Sequence, residues 1–354
     1  MYNRGIVQEE DFVVKIYYSG SYNLGILRYI SNNPFKMNLT HKLESYAYPS
    51  NMKVWLEVCE LEKDSGIDKY LMIDSGAFTA WNSGTPVSLD RYIDYVKDFK
   101  KKYSHYFKEI YVVNLDVIPG KQGKKPTQEQ VEESAAQGLA NFRVMARRGI
   151  QSIHIYHQGE DLKWLDTMTK ECEYIGISPC NDYSVEQKMK WLDDAFHYCP
   201  KDIRTHGFAV TSPTLLKRYP WTSVDSTSWR LHGSMGSINT PWFQIYISNR
   251  KEGMDENITA FRLLSKESQK DIALWMAKYG LSPQMCTTLD ARVLVNYFRQ
   301  KEIEEGINKE QVTDFKRTQE MLFEPHKSDG EIKPWIPLQE QVEEVEMGEF
   351  KEEQ

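Results

Sequence analysis

Three aspartates and a glutamine follow short apolar runs in this chain: Asp74 after 70–73, Asp116 after 110–115, Gln158 after 152–156 and Asp225 after 222–224. Carboxylates delivered to one place by separate strands suit displacement at an anomeric carbon. One attacks C1′ and forms a covalent glycosyl intermediate, and the other moves the proton of the departing or arriving group. An Asp and a Gln in the same pocket can read an amide-like base edge through paired hydrogen bonds. Such a site rejects an analogue that leaves those groups unpaired. Any one Asp at a strand end is also an ordinary helix cap. Several such residues, each ending a different run, favour a shared site. The remaining run ends contribute the backbone at 176–178 and His206.

The elements that must position these groups alternate. Strand candidates are 12–18, 70–73, 110–115, 152–156, 173–177, 204–210, 222–224 and 242–247. Helical patterns fall between several of them. At 88–103, Leu89, Tyr92, Ile93, Val96 and Phe99 recur at three- and four-residue spacings behind Ser88, a capping residue. At 127–148, Thr127 with Gln130 forms a capping-box pattern. Further helices fit 22–31, 52–62, 161–170, 184–198, 212–218, 265–279 and 288–305, and the rest of 32–69 reads as polar turns. Short apolar runs separated by helices are the mark of parallel strands buried on both faces. The expected fold class is therefore α/β, a (β/α)8 TIM-like barrel with an extra helical C-terminal region and an acidic tail. Catalytic groups in that fold gather at the C-terminal ends of the strands. The expected organisation is a barrel with outer helices over 1–310, then a linker and flexible tail over 311–354. No Gly-x-Gly-x-x-Gly follows the first strand, and no phosphate-binding Gly-x-x-x-x-Gly-Lys-Ser/Thr occurs.

Composition narrows the classes further. The chain has 354 residues, 40% of them apolar, enough to build a core and to exclude global disorder. No apolar run approaches the ~18 residues of a membrane span. The N-terminus lacks an apolar signal core, and five cysteines fit a reducing compartment, so a cytoplasmic protein is expected. The net charge is −7, but residues 331–354 alone hold eight Glu against two Lys. The remainder is close to neutral, which leaves room for a local basic surface facing a phosphate backbone.

Five segments carry a family resemblance. LMIDSGAFTAW at 71–81 resembles the Asp-Ser-Gly-Gly-Phe-Gln motif of the tRNA-guanine transglycosylase superfamily, with Ala77 and Thr79 departing from it. NLDVIPG at 114–120 and IYHQGEDLKWL at 155–165 resemble the segments that carry the family's base-reading Asp and its Val-Gln-Gly-Gly stretch. YIGISP at 174–179 resembles the Ile-Gly-Gly strand end of the base pocket, and SVDSTSW at 223–229 the nucleophile segment. The segments occur in the family order. The resemblance implies guanine exchange for a 7-deazaguanine base on a (β/α)8 barrel. Asp225 would be the nucleophile and Asp74 the general base. Ser75, Gly76, Phe78, Asp116, Gln158, Gly159, Gly176 and Ile177 would form the base site. No cofactor is implied. The family's C-terminal zinc pattern is missing, since only Cys286 and His326 stand there. The chain therefore looks most like the zinc-poor transglycosylases of phages and bacterial DNA-modification systems. That likeness implies DNA as polymer, a free preQ0-type base as co-substrate, and the host cytoplasm as location if the gene is a phage's.

Other residues have open readings. Phe78, Tyr156 or Trp229 could sandwich a purine-like ring, though aromatics at such positions are commonly core. Lys121, Lys124 and Lys125 follow Asp116, and Arg218 and Arg230 flank Asp225; each is a candidate phosphate contact or plain solvated surface. Cys180, His197, Cys199 and His206 have no recognised zinc spacing, so no metal is expected. Three alternatives stand beside DNA base exchange: the same exchange on tRNA, a barrel glycoside hydrolase, and a non-catalytic nucleic-acid-binding barrel. A protein partner that opens the duplex is also left open.

Overall fold

A computed structural model describes residues 13–20, 23–31, 33–120, 124, 126–180, 183–248 and 258–310. The acidic tail and the 310/311 boundary's far side lie outside the described residues, as do Lys121 and Lys125.

Eight parallel strands form the barrel: β1 (Lys15–Ser19), β2 (His41–Ser45), β3 (Tyr70–Asp74), β4 (Glu109–Val112), β5 (His154–His157), β6 (Tyr174–Ser178), β7 (Arg204–Gly207) and β8 (Ser223–Ser226). Neighbours in sequence pair in space, and β1 pairs with β8. The β4–β5 seam closes through one parallel bridge, Val113 with Ile153. Its backbone bonds run from Asn114 N to Ile153 O (2.9 Å) and from Ile153 N to Val112 O (2.7 Å). The expected (β/α)8 barrel is the architecture of this chain.

Helices wrap the sheet: α1 (Leu24–Ser31), α2 (Pro49–Leu61), α3 (Ala77–Ser83), α4 (Leu89–Tyr103), α5 (Gln128–Arg147), α6 (Leu162–Glu171), α7 (Val185–Tyr198) and α8 (Pro213–Arg218). Thr127 and Gln130 cap α5 reciprocally, as their spacing predicts, and Ser184 with Gln187 does the same for α7. After β8 come α9 (Ser228–Ser234), a hairpin of β9 (Ser237–Asn239) and β10 (Gln244–Tyr246), then α10 (Lys266–Ala277) and α11 (Leu289–Glu310). Helix α11 lies antiparallel to β1: Asn308 Nδ2 donates to Val14 O, and Ile16 N donates to Glu304 Oε1. Its N-terminal half continues past the strand ends and packs on α9 and β9, where Asn296 bonds Asn239 N and Ser237 O. Among the described residues no helix is long and apolar enough to cross a membrane.

Strand alternation splits the core into two layers. Tyr17, Leu43, Met72, Val113, Ile153, Ile155 and Tyr174 fill the barrel interior. Ile16, Tyr18, Leu71, Ile73, Ile175, Ile177 and Val224 face the helices. This alternation fixes which residue at each strand end faces the mouth.

Two sequence expectations need correction. The run at 242–247 is not a barrel strand; it holds β10 of the separate hairpin. The missing barrel strand is β2, HKLES, inside the stretch that reads as polar turns. Lys42 and Glu44 occupy its outer face at 0% and 1% exposure, paired at 2.8 Å. A buried ion pair replaces the apolar residues by which a strand is recognised.

Candidate active site

Asp74 is the last residue of β3, and the following turn is built on it. Its Oδ2 accepts the Gly76 N–H at 3.0 Å, an Asx-type turn. Ser75 is buried, and its Oγ accepts from Ala77 N (3.3 Å), so it shapes the same turn. Gly76 has φ +78°, and a Cβ there would stand 2.9 Å from Ala47 Cβ and 3.2 Å from Ser45 Oγ. Both the backbone region and the space demand glycine. Gly76→Ala is expected to cost about 1–3 kcal/mol and to displace Asp74, read as a lowered melting temperature. Behind the turn, Tyr92 donates its hydroxyl to Ile73 O (3.2 Å) and Val113 O (2.8 Å), fastening the ends of β3 and β4 together.

The carboxylates from different strands sense one another. Burial pushes the Asp74 carboxyl up to about 6, and the charges of Asp116 and Asp225 add to this, against hydrogen bonds from Ser45 and Gly76. Asp116 is buried just beyond β4 and pairs with His157 Nε2 at 2.9 Å. Burial pulls the His157 imidazolium's pKa down. The Asp116 contact and charge, with the charge of Glu160, outweigh it and leave the value raised. Burial likewise pushes Glu160 up to about 7, with Asp116 and Glu132 adding and His157 opposing.

Gln158 follows β5, and its Oε1 accepts the Cys180 N–H at 2.9 Å. That bond orients the amide so that Nε2 is the group left to donate. Gly159 takes φ +108°, with open space where a Cβ would be. Gly176 faces inward on β6. A Cβ there would lie 2.5 Å from Phe208 Cε2 and 3.2 Å from Ile155 Cγ1, so the Phe208 ring covers the strand at that point.

Asp225 lies on β8 at 8% exposure. Its Oδ1 accepts the Ala209 N–H at 2.8 Å, and His206 Nε2 stands 3.6 Å from the same oxygen. Ala209 has φ +53°, a left-handed conformation at a non-glycine residue. Backbone of this kind is held only where the surroundings impose it, and here it aims an N–H at a carboxylate.

The mouth thus gathers Asp74, Asp116 and Asp225, with Gln158 and Gly176 on adjoining strands. Other expected members fall elsewhere. Ile177 is fully buried in the outer layer, because alternation turns it away from Gly176. Tyr156 and Trp229 also belong to that layer. Tyr156 stacks on Trp191 (5.4 Å), and Trp229 donates to Ser19 O (2.9 Å). Phe78 is 44% exposed on α3 and stacks with Trp81. Arg218 ends α8, which descends from the mouth toward the start of β8. Its Nε and Nη2 grip Asp193 at 2.9 and 2.8 Å. That places it in the outer layer, against the middle of α7. Arg230 lies along Gly20 at the end of β1, on the mouth side. Lys124 is exposed. Among the described residues no group of three or more His, Cys, Asp or Glu could hold a metal ion.

Ser45, Glu160, Phe208 and Ala209 belong to the mouth without a prior signal. Ser45 was hidden with its strand. His157 and His206 end strands in the sequence, yet nothing in their spacing says that each faces an aspartate. Neither the known protein families nor the curated proteins include a match to this chain.

Proposed function

We propose that this chain is a base-exchange glycosyltransferase that replaces guanine in DNA with a preQ0-type 7-deazaguanine. The observation that carries the reading is the pair Asp74 and Asp225, from β3 and β8, close enough for one charge to raise the other's pKa. Asp225, steadied by the Ala209 N–H, attacks C1′ of a guanosine. Guanine departs and leaves a glycosyl ester on Asp225. Asp116 accepts from the N–H groups of the incoming base, and Gln158 Nε2 donates to its carbonyl. A base lacking either group leaves a buried partner unpaired. Asp74 takes the proton of the arriving base, a task suited to a carboxyl with pKa near the working pH. The choice of DNA, and of the cytoplasm, follows the resemblance to the zinc-poor transglycosylases. An extruded nucleotide is reached most readily in single-stranded or locally opened DNA.

The test is exchange of labelled guanine into tRNA, single-stranded DNA and duplex DNA, with and without a competing 7-deazaguanine base. Label in DNA alone supports the reading. Label in tRNA keeps the chemistry and overturns the polymer. Polymer cleavage without exchange supports a hydrolase.

Asp74 also fixes a pH dependence. Its exchange role needs the proton when guanine departs and the carboxylate when the new base arrives, so the rate is expected to peak near pH 6 and fall on either side. A carboxyl raised from 3.8 to about 6 binds protons more tightly in the folded state, so stability falls as pH rises through that window. Asp74→Asn is expected to add up to about 3 kcal/mol above pH 6 while removing exchange. Melting curves at pH 4 and 8 check it, with the gain confined to the higher pH.

A further inference from the structure

Beneath Asp225, a line of polar side chains runs through the barrel interior. The Tyr174 hydroxyl lies 2.5 Å from Ser223 Oγ. The same Ser223 oxygen lies 2.5 Å from His206 Nδ1. His206 Nε2 then faces Asp225 Oδ1 at 3.6 Å. His206 is 0% exposed and Ser223 2%, so the line is shielded from water.

Its polarity follows from what each group can donate. Burial pushes the Tyr174 phenol up to about 12, against the Ser223 bond and the Arg204 charge, so it keeps its proton. The phenol donates to Ser223. The one serine proton goes to His206 Nδ1, which is then an acceptor. In the neutral ring the remaining proton sits on Nε2, and in the imidazolium Nε2 carries one as well. The opposite polarity would aim the Nε2 lone pair at a carboxylate oxygen.

We propose that His206 is a positioning residue for the nucleophile: the Ala209 N–H holds Asp225 Oδ1, the His206 Nε2–H faces the same oxygen at 3.6 Å, and Oδ2 is left to bond C1′. This rests on the base-exchange reading. In the first step, Oδ2 bonds C1′ as the C1′–N9 bond breaks, and the departing guanine takes that electron pair and a proton from Asp74. In the second, N9 of the incoming base bonds C1′ and gives its proton to Asp74. The Oδ2–C1′ bond breaks, and its electron pair returns to the Asp225 carboxylate. Donors on Oδ1 stabilise that returning charge, so losing one slows release of the glycosyl group more than its capture.

The test uses the full chain with 15N-labelled histidine, the His206→Phe variant to assign the ring, and Ser223→Ala. Long-range 1H–15N spectra report which ring nitrogen carries the proton. Denaturing gels report the covalent adduct with DNA and its rate of release to free base. Expected are an Nε2–H ring in the wild type and its mixing with the other tautomer in Ser223→Ala. Adduct release in His206→Phe should slow on the order of ten- to a hundredfold, with the KM for free base unchanged. A wild-type ring protonated on Nδ1 alone overturns the proposal, as does release at the wild-type rate in a folded His206→Phe. Where that variant fails to fold, Ser223→Ala decides: slowed release supports the role and unchanged release overturns it. A wild type that forms no adduct with any polymer overturns base exchange itself, and this role with it, even with the proton found on Nε2.

Discussion

Asp225→Asn is expected to lower base exchange by at least about 10³-fold and to abolish the covalent adduct, while the protein stays folded. The amide keeps the size of the carboxylate, and its oxygen can still accept the Ala209 N–H that holds Asp225 Oδ1 at 2.8 Å. What it loses is the ability to form and release a glycosyl ester, because an amide oxygen is a poor nucleophile. The measurement is labelled-guanine exchange beside a gel for the adduct, with a melting curve as control. Comparison with Asp74→Asn separates the two carboxylates. On the proposed mechanism, loss of Asp74 still allows some adduct, whereas loss of Asp225 allows none. Polynucleotide binding that persists in Asp225→Asn, from a wild type with no exchange and no adduct, would move the assignment to a binding protein.

Lys42→Met is expected to destabilise the fold by about 3–5 kcal/mol, among the largest single effects available outside the mouth. Lys42 is fully buried and pairs with Glu44 at 2.8 Å. Its Nζ also donates to Tyr18 O (3.0 Å) and Gly20 O (2.7 Å), tying the end of β1 to β2. The single variant leaves Glu44 charged and uncompensated between sheet and helices. Lys42→Met combined with Glu44→Leu removes both charges and should recover at least half of the loss, since the stranded charge is the larger part of the cost. Urea denaturation of both variants checks this; equal losses would assign the cost to the β1 carbonyl bonds.

The same pair explains where the sequence could and could not be read. β3 and β6 announce themselves because their outer residues, Leu71, Ile73, Ile175 and Ile177, are apolar. β2 uses the same alternation with charges on its outer face, so hydropathy misses it, and Ser45 disappears from the site with it. The mouth was legible where one residue type sufficed. Asp74, Asp116, Gln158 and Asp225 each end or follow a run, and barrel topology gathers the carboxylates. Ile177 stands beside Gly176 on β6, but the two-residue period turns its side chain to the outer layer. Arg218 is near Asp225 in sequence, but in space it is turned to the outer layer, where it grips Asp193 of α7. Phe208 and Ala209 reach the site through a loop conformation, and the positive φ of Ala209 has no signature in a residue that normally avoids it.

The β4–β5 seam gives the mouth a mechanical character. Other neighbouring strands share at least two registered residue pairs, whereas this joint rests on Val113 with Ile153. Asp116 lies just past one side of the joint and His157 ends the strand on the other, so their 2.9 Å contact works as a clasp across the weakest line of the barrel. Under the proposed base exchange, a base that draws Asp116 away from His157 loosens this clasp, and its departure restores it. Under that reading, the single-bridge joint between β4 and β5 is where loading and unloading the site strains the barrel wall.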